Sequence, residues 1–377
     1  MPRNGLPLAN RSSGGSIPRP VPDFSGLRNE LCGGFARFAG SLARTAGGNG
    51  ESVRKTTVSS DVTRKFVHMS LEATFLGTSG AVPTTRRNTS AVFVRREGER
   101  FLFDCGEGTQ RQMMRFSTGF GVSHVFLTHL HGDHVLGLPG LTQTFDFNDR
   151  EEPLTVHTPP GTKRAVENLV GVTGARPGYP VRVHEAHPGA TVLRNDDYEV
   201  RAFETDHRTQ SVGYALVEDD RRGRFDRERA VELGVPEGPK FSRLHRGESV
   251  EAEDGTTVDP EQVVGPERPG RTLVYTGDTR PTGATVEAAT DADLLIHEAT
   301  FAEDRTDRAG STGHSTARQA AEIAKRADAK RLALTHLSSR YAGEADRLEA
   351  EAREVFGSAF FPDDGDRVEV PYPEAHD

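Results

Sequence analysis

The stretch VFLTHLHGDHVLGLPGL, residues 125–141, puts three histidines and an aspartate into six positions, His129 to His134, directly after an apolar run. The run reads as a buried strand and Gly132 as the turn that ends it. Side chains two apart, His129 and His131, can converge on one ion from a tight loop, while Asp133 and His134 can point to a second. Imidazole and carboxylate without thiolate suit a catalytic zinc that keeps a position open for water. A histidine-rich surface loop is the plain alternative. Four ligand-capable side chains at the end of a buried strand speak against it.

One loop cannot complete two metal sites, so the remaining ligands must come from other strand ends. FETDHRTQSVGYAL (203–216) offers His207, LVYTGDTRPT (273–282) offers Asp278 and LALTHLSS (332–339) offers His336. Singly, such an aspartate is more often a turn or cap residue, and such a histidine a structural one. Together they make five histidines and two aspartates, enough for two metals bridged by one carboxylate. HVFLTHLHGDH and RLALTHLSSRY also echo each other, each an apolar strand ending in Thr-His-Leu, which hints at two related halves facing one cleft.

From residue 71 the grain is that of short strands with a few helices. Strands are expected at 71–77, 91–96, 100–105, 124–129, 154–158, 181–186, 198–205, 212–218, 271–277, 292–300 and 331–336. Helices are expected at 108–116, 161–170, 315–327 and 344–356, where apolar spacing nears 3.6. This predicts an α/β chain of two sheets sandwiched by helices. Residues 1–68 are rich in Gly, Pro, Ser and Arg and read as a disordered extension, with Met69 the expected native start of a 69–377 domain. The extension holds ten Lys/Arg against four Asp/Glu, the remainder 37 against 52. So acidic a body predicts a halophilic protein. Two cysteines give no disulfide framework. With no apolar run of membrane length and no signal-peptide pattern, a cytoplasmic protein with no membrane partner is expected.

The ligand pattern resembles the metallo-β-lactamase superfamily, an αββα sandwich with its site along one sheet edge. The resemblance implies two Zn2+ per subunit. One would take His129, His131 and His207, the other Asp133, His134 and His336, with Asp278 and a hydroxide bridging them. Four further features are similar to the ribonuclease Z family: FLGTSGAVPTTRRNTSAVFV (75–94), IHEATFAEDR (296–305), GHSTARQAAEIA (313–324) and a long insertion at about 219–268. This implies an endoribonuclease that removes the 3′ trailer of precursor tRNA after the discriminator nucleotide, leaving a 3′-hydroxyl. Asp133 would orient the attacking hydroxide and take its proton, and His314 would protonate the leaving oxygen. Ser315 would cap the helix after it. His297 and Glu298 would stand beside the ligands. The insertion would be a protruding arm gripping tRNA, with its Gly-Pro signature at Gly238-Pro239 and with Lys240 and Arg243 among its cations.

In the opening loop, Arg86, Arg87 and Asn88 would read the tRNA 3′ end. Thr85 stands where the family commonly has lysine, which touches the handling of trailers beginning with CCA. Residues 221–246 carry eight cations against four carboxylates, a sign inversion within an acidic body that suggests backbone binding. The resemblance also implies a homodimer in which one subunit's arm serves the other's site. The alternatives are a small-molecule zinc phosphodiesterase or arylsulfatase, and a non-catalytic RNA-binding relative.

Overall fold

The computed structural model describes residues 71–373; the expected extension, 1–68, and Met69 lie outside them. Two seven-stranded sheets face each other. In the first, Arg367–Val370, Leu71–Gly77, Ala91–Arg96, Glu99–Phe103, His124–Phe126, Leu154–Thr158 and Val181–Glu185 lie side by side. In the second the order is Ala359–Phe360, Leu332–Thr335, Leu294–Glu298, Thr272–Tyr275, Val212–Glu218, Tyr198–Glu204 and Thr191–Arg194.

Both faces of the central strands are covered, which explains why those strands read as near-continuous apolar runs, while edge strands such as Arg367–Val370 alternate. Between the sheets pack Leu71, Phe75, Phe101, Phe103, Phe126, Tyr214, Tyr275 and Ile296, all buried. Outside the first sheet, the helices Thr109–Arg115, Leu138–Phe147 and Lys163–Val170 cover Leu102, Val125 and Val156. Outside the second, Ala317–Arg326 and Ala345–Arg353 cover Leu295 and Leu334, largely through alanines. The expected αββα architecture is the observed one.

The expected elements stand with ends shifted by up to three residues. Helices at Leu138–Phe147, Gly283–Ala288 and Thr306–Thr312, and strands at Thr191–Arg194 and Arg367–Val370, were not anticipated. The Leu138–Phe147 helix has Pro139 in its first turn, a position proline tolerates, so its LPGL opening hid it as a turn. One cap differs. Thr316, not Ser315, caps the Ala317–Arg326 helix, in a capping box with Gln319. Ser315 Oγ instead donates to Thr279 O at 2.8 Å, fastening this loop beside Asp278.

Residues 219–268 run from the strand Val212–Glu218 towards Thr272–Tyr275 as a unit with its own apolar cluster, including Ala230, Val235, Phe241, Leu244, Val250 and Val258. Its stem is antiparallel, with bridges Arg221–Arg268 and Phe225–Val264. Within it fold the helices Arg227–Glu232 and Pro239–His245 and a two-stranded ribbon, Val250–Glu251 with Thr257–Val258.

Candidate metal centre

The strands His124–Phe126, Thr272–Tyr275, Leu294–Glu298 and Leu332–Thr335 are parallel-paired within their sheets. Their carboxyl ends lead to one rim, and the chain following them supplies His129, Asp278, Glu298 and His336. Such ends are where open parallel sheets gather ligands. Gly277 sits at φ +59°, where a Cβ would lie 2.5 Å from Thr128 Oγ1. Only glycine lets Asp278 approach the His129 strand so closely.

Asp278 is the hinge of the arrangement. Its Oδ2 is 3.6 Å from His129 Nε2 and 3.9 Å from His207 Nε2. Its Oδ1 is 3.4 Å from His134 Nε2 and 3.2 Å from His336 Nε2. His131 Nδ1 closes the first group, 3.0 Å from His129 Nε2 and 3.3 Å from His207 Nε2. Asp133 Oδ2 closes the second, 3.3 Å from His336 Nε2. The structure brings the expected residues together: His129, His131, His207 and Asp278 form one group, Asp133, His134 and His336 a second, and Asp278, His314 and His336 a third.

The hydrogen bonds around this centre commit the Nδ1 atom of four of its rings. His134 Nδ1 donates to Asp104 Oδ2 at 2.7 Å, and His207 Nδ1 to Gly313 O at 2.7 Å. Thr128 spends its hydroxyl proton on Asp104, so its oxygen accepts from His129 Nδ1 at 3.1 Å. Thr300 spends its proton on Glu298, so its oxygen accepts from His336 Nδ1 at 2.8 Å. In all four rings Nδ1 is committed to these partners and Nε2 faces the Asp278 carboxylate. Such partners fix ligand orientation and tautomer.

Two buried carboxylates therefore govern the centre. Asp104 orients His134 directly and His129 through Thr128, and also accepts from Tyr275 at 2.9 Å. Glu298 orients His314, whose Nδ1 is 2.8 Å from Oε1, and His336 through Thr300. It also accepts from Thr279 N at 3.0 Å. The expected placement of Glu298 beside the ligands is what the geometry has. His297 is buried, its Nδ1 bonded to Glu298 O and its Nε2 without a hydrogen bond, and it touches none of the ligands' ring nitrogens. Asp104 and Thr128 are the residues that sequence reasoning passed over, and Thr300 was marked only as part of the His-Glu-Ala-Thr stretch, 297–300. Asp104 carried the same signal as Asp278, a carboxylate ending an apolar strand.

The electrostatics fit cations. Burial alone would raise Asp278, yet His336 and His134 hold it well below the usual carboxylate range. Burial and the neighbouring His134 keep His129 well below the usual histidine range, hence neutral. Asp278 Oδ1 is buried with no hydrogen bond although four imidazoles surround the carboxylate. An orphaned buried carboxylate oxygen is costly unless a cation compensates it. Residues and chemistry thus fit resident metal.

A cleft of about 570 Å3 opens over the centre, lined by His131, Asp133, His207, Arg208, Asp278 and His314 among others. Ala81 N donates to Asp133 Oδ2 at 2.6 Å, so the opening loop reaches the centre. In that loop Arg86 is exposed, whereas Arg87 is buried. The Arg87 guanidinium bonds Thr78, Pro362 O and Asp363. Asn88 bonds Asp364 through its N–H and Glu107 O through its amide. Arg87 and Asn88 therefore fasten the loop to the chain's own carboxyl-terminal segment.

In the arm, Gly238 takes φ +141° ahead of the Pro239–His245 helix. Lys240 Nζ donates to Glu251 O at 2.5 Å, and Arg243 pairs with Glu248 at 2.9 Å. The expected net positive charge is confined to 221–246. Across 219–268 thirteen carboxylates outnumber nine cations, because the charged residues on either side of 221–246 are mostly acidic.

Comparison with known proteins decides the family. The metallo-beta-lactamase superfamily model matches residues 84–336. The ribonuclease Z of Natronomonas pharaonis is 66% identical over 307 residues, 81% of this chain and 100% of that protein. The chain belongs to the ribonuclease Z family. It is an endoribonuclease with the metallo-β-lactamase fold. Ribonuclease Z of Haloferax volcanii is 65% identical over 308 residues, covering 81% of this chain and 97% of that protein. Among solved structures, human tRNase Z, short form, aligns with a TM-score of 0.58 at 29% identity, over 80% of this chain and 99% of that one. His314 lies in the wall of the cleft.

Proposed function

We propose that this chain removes the 3′ trailer of precursor tRNA by cutting the phosphodiester after the discriminator nucleotide. The observation that carries this reading is His314, oriented by Glu298 at the wall of a histidine and aspartate cluster, in a chain that spans the whole length of a ribonuclease Z.

The resident cations of this reading are two zinc ions per subunit. His129, His131 and His207 would hold one, and Asp133, His134 and His336 the other, with Asp278 shared. When bound, such a pair lowers the pKa of water and offsets charge developing on the phosphoryl oxygens. The chain's own residues do the rest. Asp133, held by the Ala81 N–H and His336, orients the attacking water and takes its proton. His314 delivers a proton to the leaving 3′-oxygen. Burial would lower His314, but the Glu298 carboxylate overrides it and pushes the imidazole up to about 9, so the proton is present at neutral pH. Its Nδ1 is committed to Glu298, which leaves Nε2 for the leaving group. The arm grips the tRNA body, and Arg86 is the exposed cation at the cleft's opening loop. The enzyme works as a cytoplasmic homodimer.

The test is incubation of the zinc-loaded protein with a 3′-extended tRNA transcript, mapping the cut to the nucleotide. A single cut after the discriminator, leaving a 3′-hydroxyl, is expected. Hydrolysis of a small diester with the transcript left intact would instead support a small-molecule phosphodiesterase.

A further inference from the structure

Resting on the reading of residues 219–268 as the tRNA-gripping arm, we propose that Tyr372 is a positioning residue that clasps the arm's root to the body. Arg221 Cζ lies 3.4 Å from the centroid of the Tyr372 ring, and Arg271 Cζ 3.8 Å. Two guanidinium groups so near one centroid must occupy opposite faces, so the ring is held between them. Its negative π faces attract both cations.

The two cations belong to different parts of the molecule. Arg271 precedes the body strand Thr272–Tyr275 and is locked there. It pairs with Glu218 through Nε and Nη2, both at 2.7 Å, and donates to Val370 O at 3.2 Å. Glu218 in turn accepts from Arg96 at 2.8 Å. Arg221 opens the arm, exchanging backbone hydrogen bonds with Arg268 at 2.7 and 2.8 Å. Its side chain is far less anchored. It donates to Pro269 O at 3.3 Å, and its Nε is buried with no hydrogen bond. The aromatic face is what compensates that cation.

The ring also relieves a charge conflict. Arg221, Arg268 and Arg271 crowd the root, and Glu218 is already spent on Arg271 and Arg96. Tyr372 follows by two residues the edge strand Arg367–Val370 of the first sheet. The clasp therefore ties the first sheet, the second sheet and the arm together. It holds the arm at one angle to the cleft, so that tRNA meets a preorganised surface.

The experiment compares full-length Tyr372→Ala and Tyr372→Phe with wild type on a 3′-extended tRNA transcript and on bis-p-nitrophenyl phosphate. Tyr372→Ala should raise KM for the transcript roughly tenfold, the factor that about 1.4 kcal/mol of lost cation–π attraction represents. Transcript kcat and hydrolysis of the small diester should stay at wild-type values. Tyr372→Phe, which keeps the ring, should match wild type. An unchanged KM in Tyr372→Ala, a parallel fall on the small diester, or a Phe variant as impaired as Ala overturns the clasp. A wild-type protein that leaves the transcript uncut defeats the tRNA reading instead. Hydrogen exchange at the Arg221 and Arg268 amides then still decides the clasp: faster exchange in Tyr372→Ala supports it, and unchanged exchange overturns it.

Discussion

Asp104 and Glu298 each reach two histidines, one directly and one through a threonine hydroxyl, and so orient His134 and His129, and His314 and His336, respectively. Removing Asp104 strands His134 Nδ1, the Thr128 hydroxyl and the Tyr275 hydroxyl in a buried space. Asp104→Ala should cost about 10–100-fold in metal affinity, as loss of such partners does, and should lower the melting temperature. Metal titration and thermal melts check both, and undiminished affinity would remove Asp104 from ligand orientation. Glu298 acts on the acid. The His314 proton, held up to about 9, is present below that pH and lost above it. In Glu298→Gln the proton should leave at lower pH, moving the alkaline limb of the kcat profile downward. In His314→Ala, turnover should drop by about 10²–10⁴ with both metals retained by mass spectrometry. Asp278 was legible in the sequence and Asp104 was not weighed, although both end apolar strands. What separated them was the number of histidines sharing each carboxylate, which is a matter of space.

Adjacent strands of the first sheet bring His124 and His157 together, Nδ1 to Nε2 at 3.0 Å, stacked beside Phe126. Burial pushes His124 down to about 4 and His157 to about 3. In the unfolded chain both would titrate near 6.5. As pH falls from about 6.5 towards 4, the unfolded state takes up protons that the folded state refuses, so stability declines across that window. His157→Phe should flatten this decline. Urea midpoints at pH 5 and pH 8 measure it, and an unchanged difference from wild type would clear the pair of responsibility. At the same scale, the arm carries its own apolar cluster and joins the body through one antiparallel stem. Deleting residues 221–262 should raise KM for precursor tRNA and spare bis-p-nitrophenyl phosphate; unchanged tRNA cleavage would exclude the arm from binding. The helix Leu138–Phe147 escaped sequence reading because proline and glycine in its first turn imitate a loop. The Thr316 cap was misread as Ser315 because Ser315 is claimed by Thr279, across the cleft from its own helix.

The sequence is strongly acidic beyond residue 68, with 52 Asp/Glu to 37 Lys/Arg over residues 69–377. Repulsion among these carboxylates weakens as the Debye length shrinks from about 10 Å at 0.1 M salt to about 3 Å at 1 M. Unfolding midpoints should therefore rise with potassium chloride, and relatives in Haloferax volcanii and Natronomonas pharaonis accord with this. A midpoint indifferent to salt would refute it. Salt also weakens phosphate contacts, so the tRNA grip proposed for residues 219–268 would rest on the placement of their side chains more than on net charge. Among the described residues no helix is long and apolar enough to cross a membrane.

The sequence by itself determined the metal chemistry and the sandwich. His129, His131, Asp133 and His134 are close in the chain, and doubly covered strands must be apolar along their whole length, so both features leave local marks. Only the tertiary structure decided how Asp278 divides its two oxygens, that Asp104 and Glu298 orient the histidines, that Arg87 is an internal fastening, and that Tyr372 lies between Arg221 and Arg271. Each joins residues far apart in the chain, and no pattern of spacing records a contact made only when two sheets close on one another.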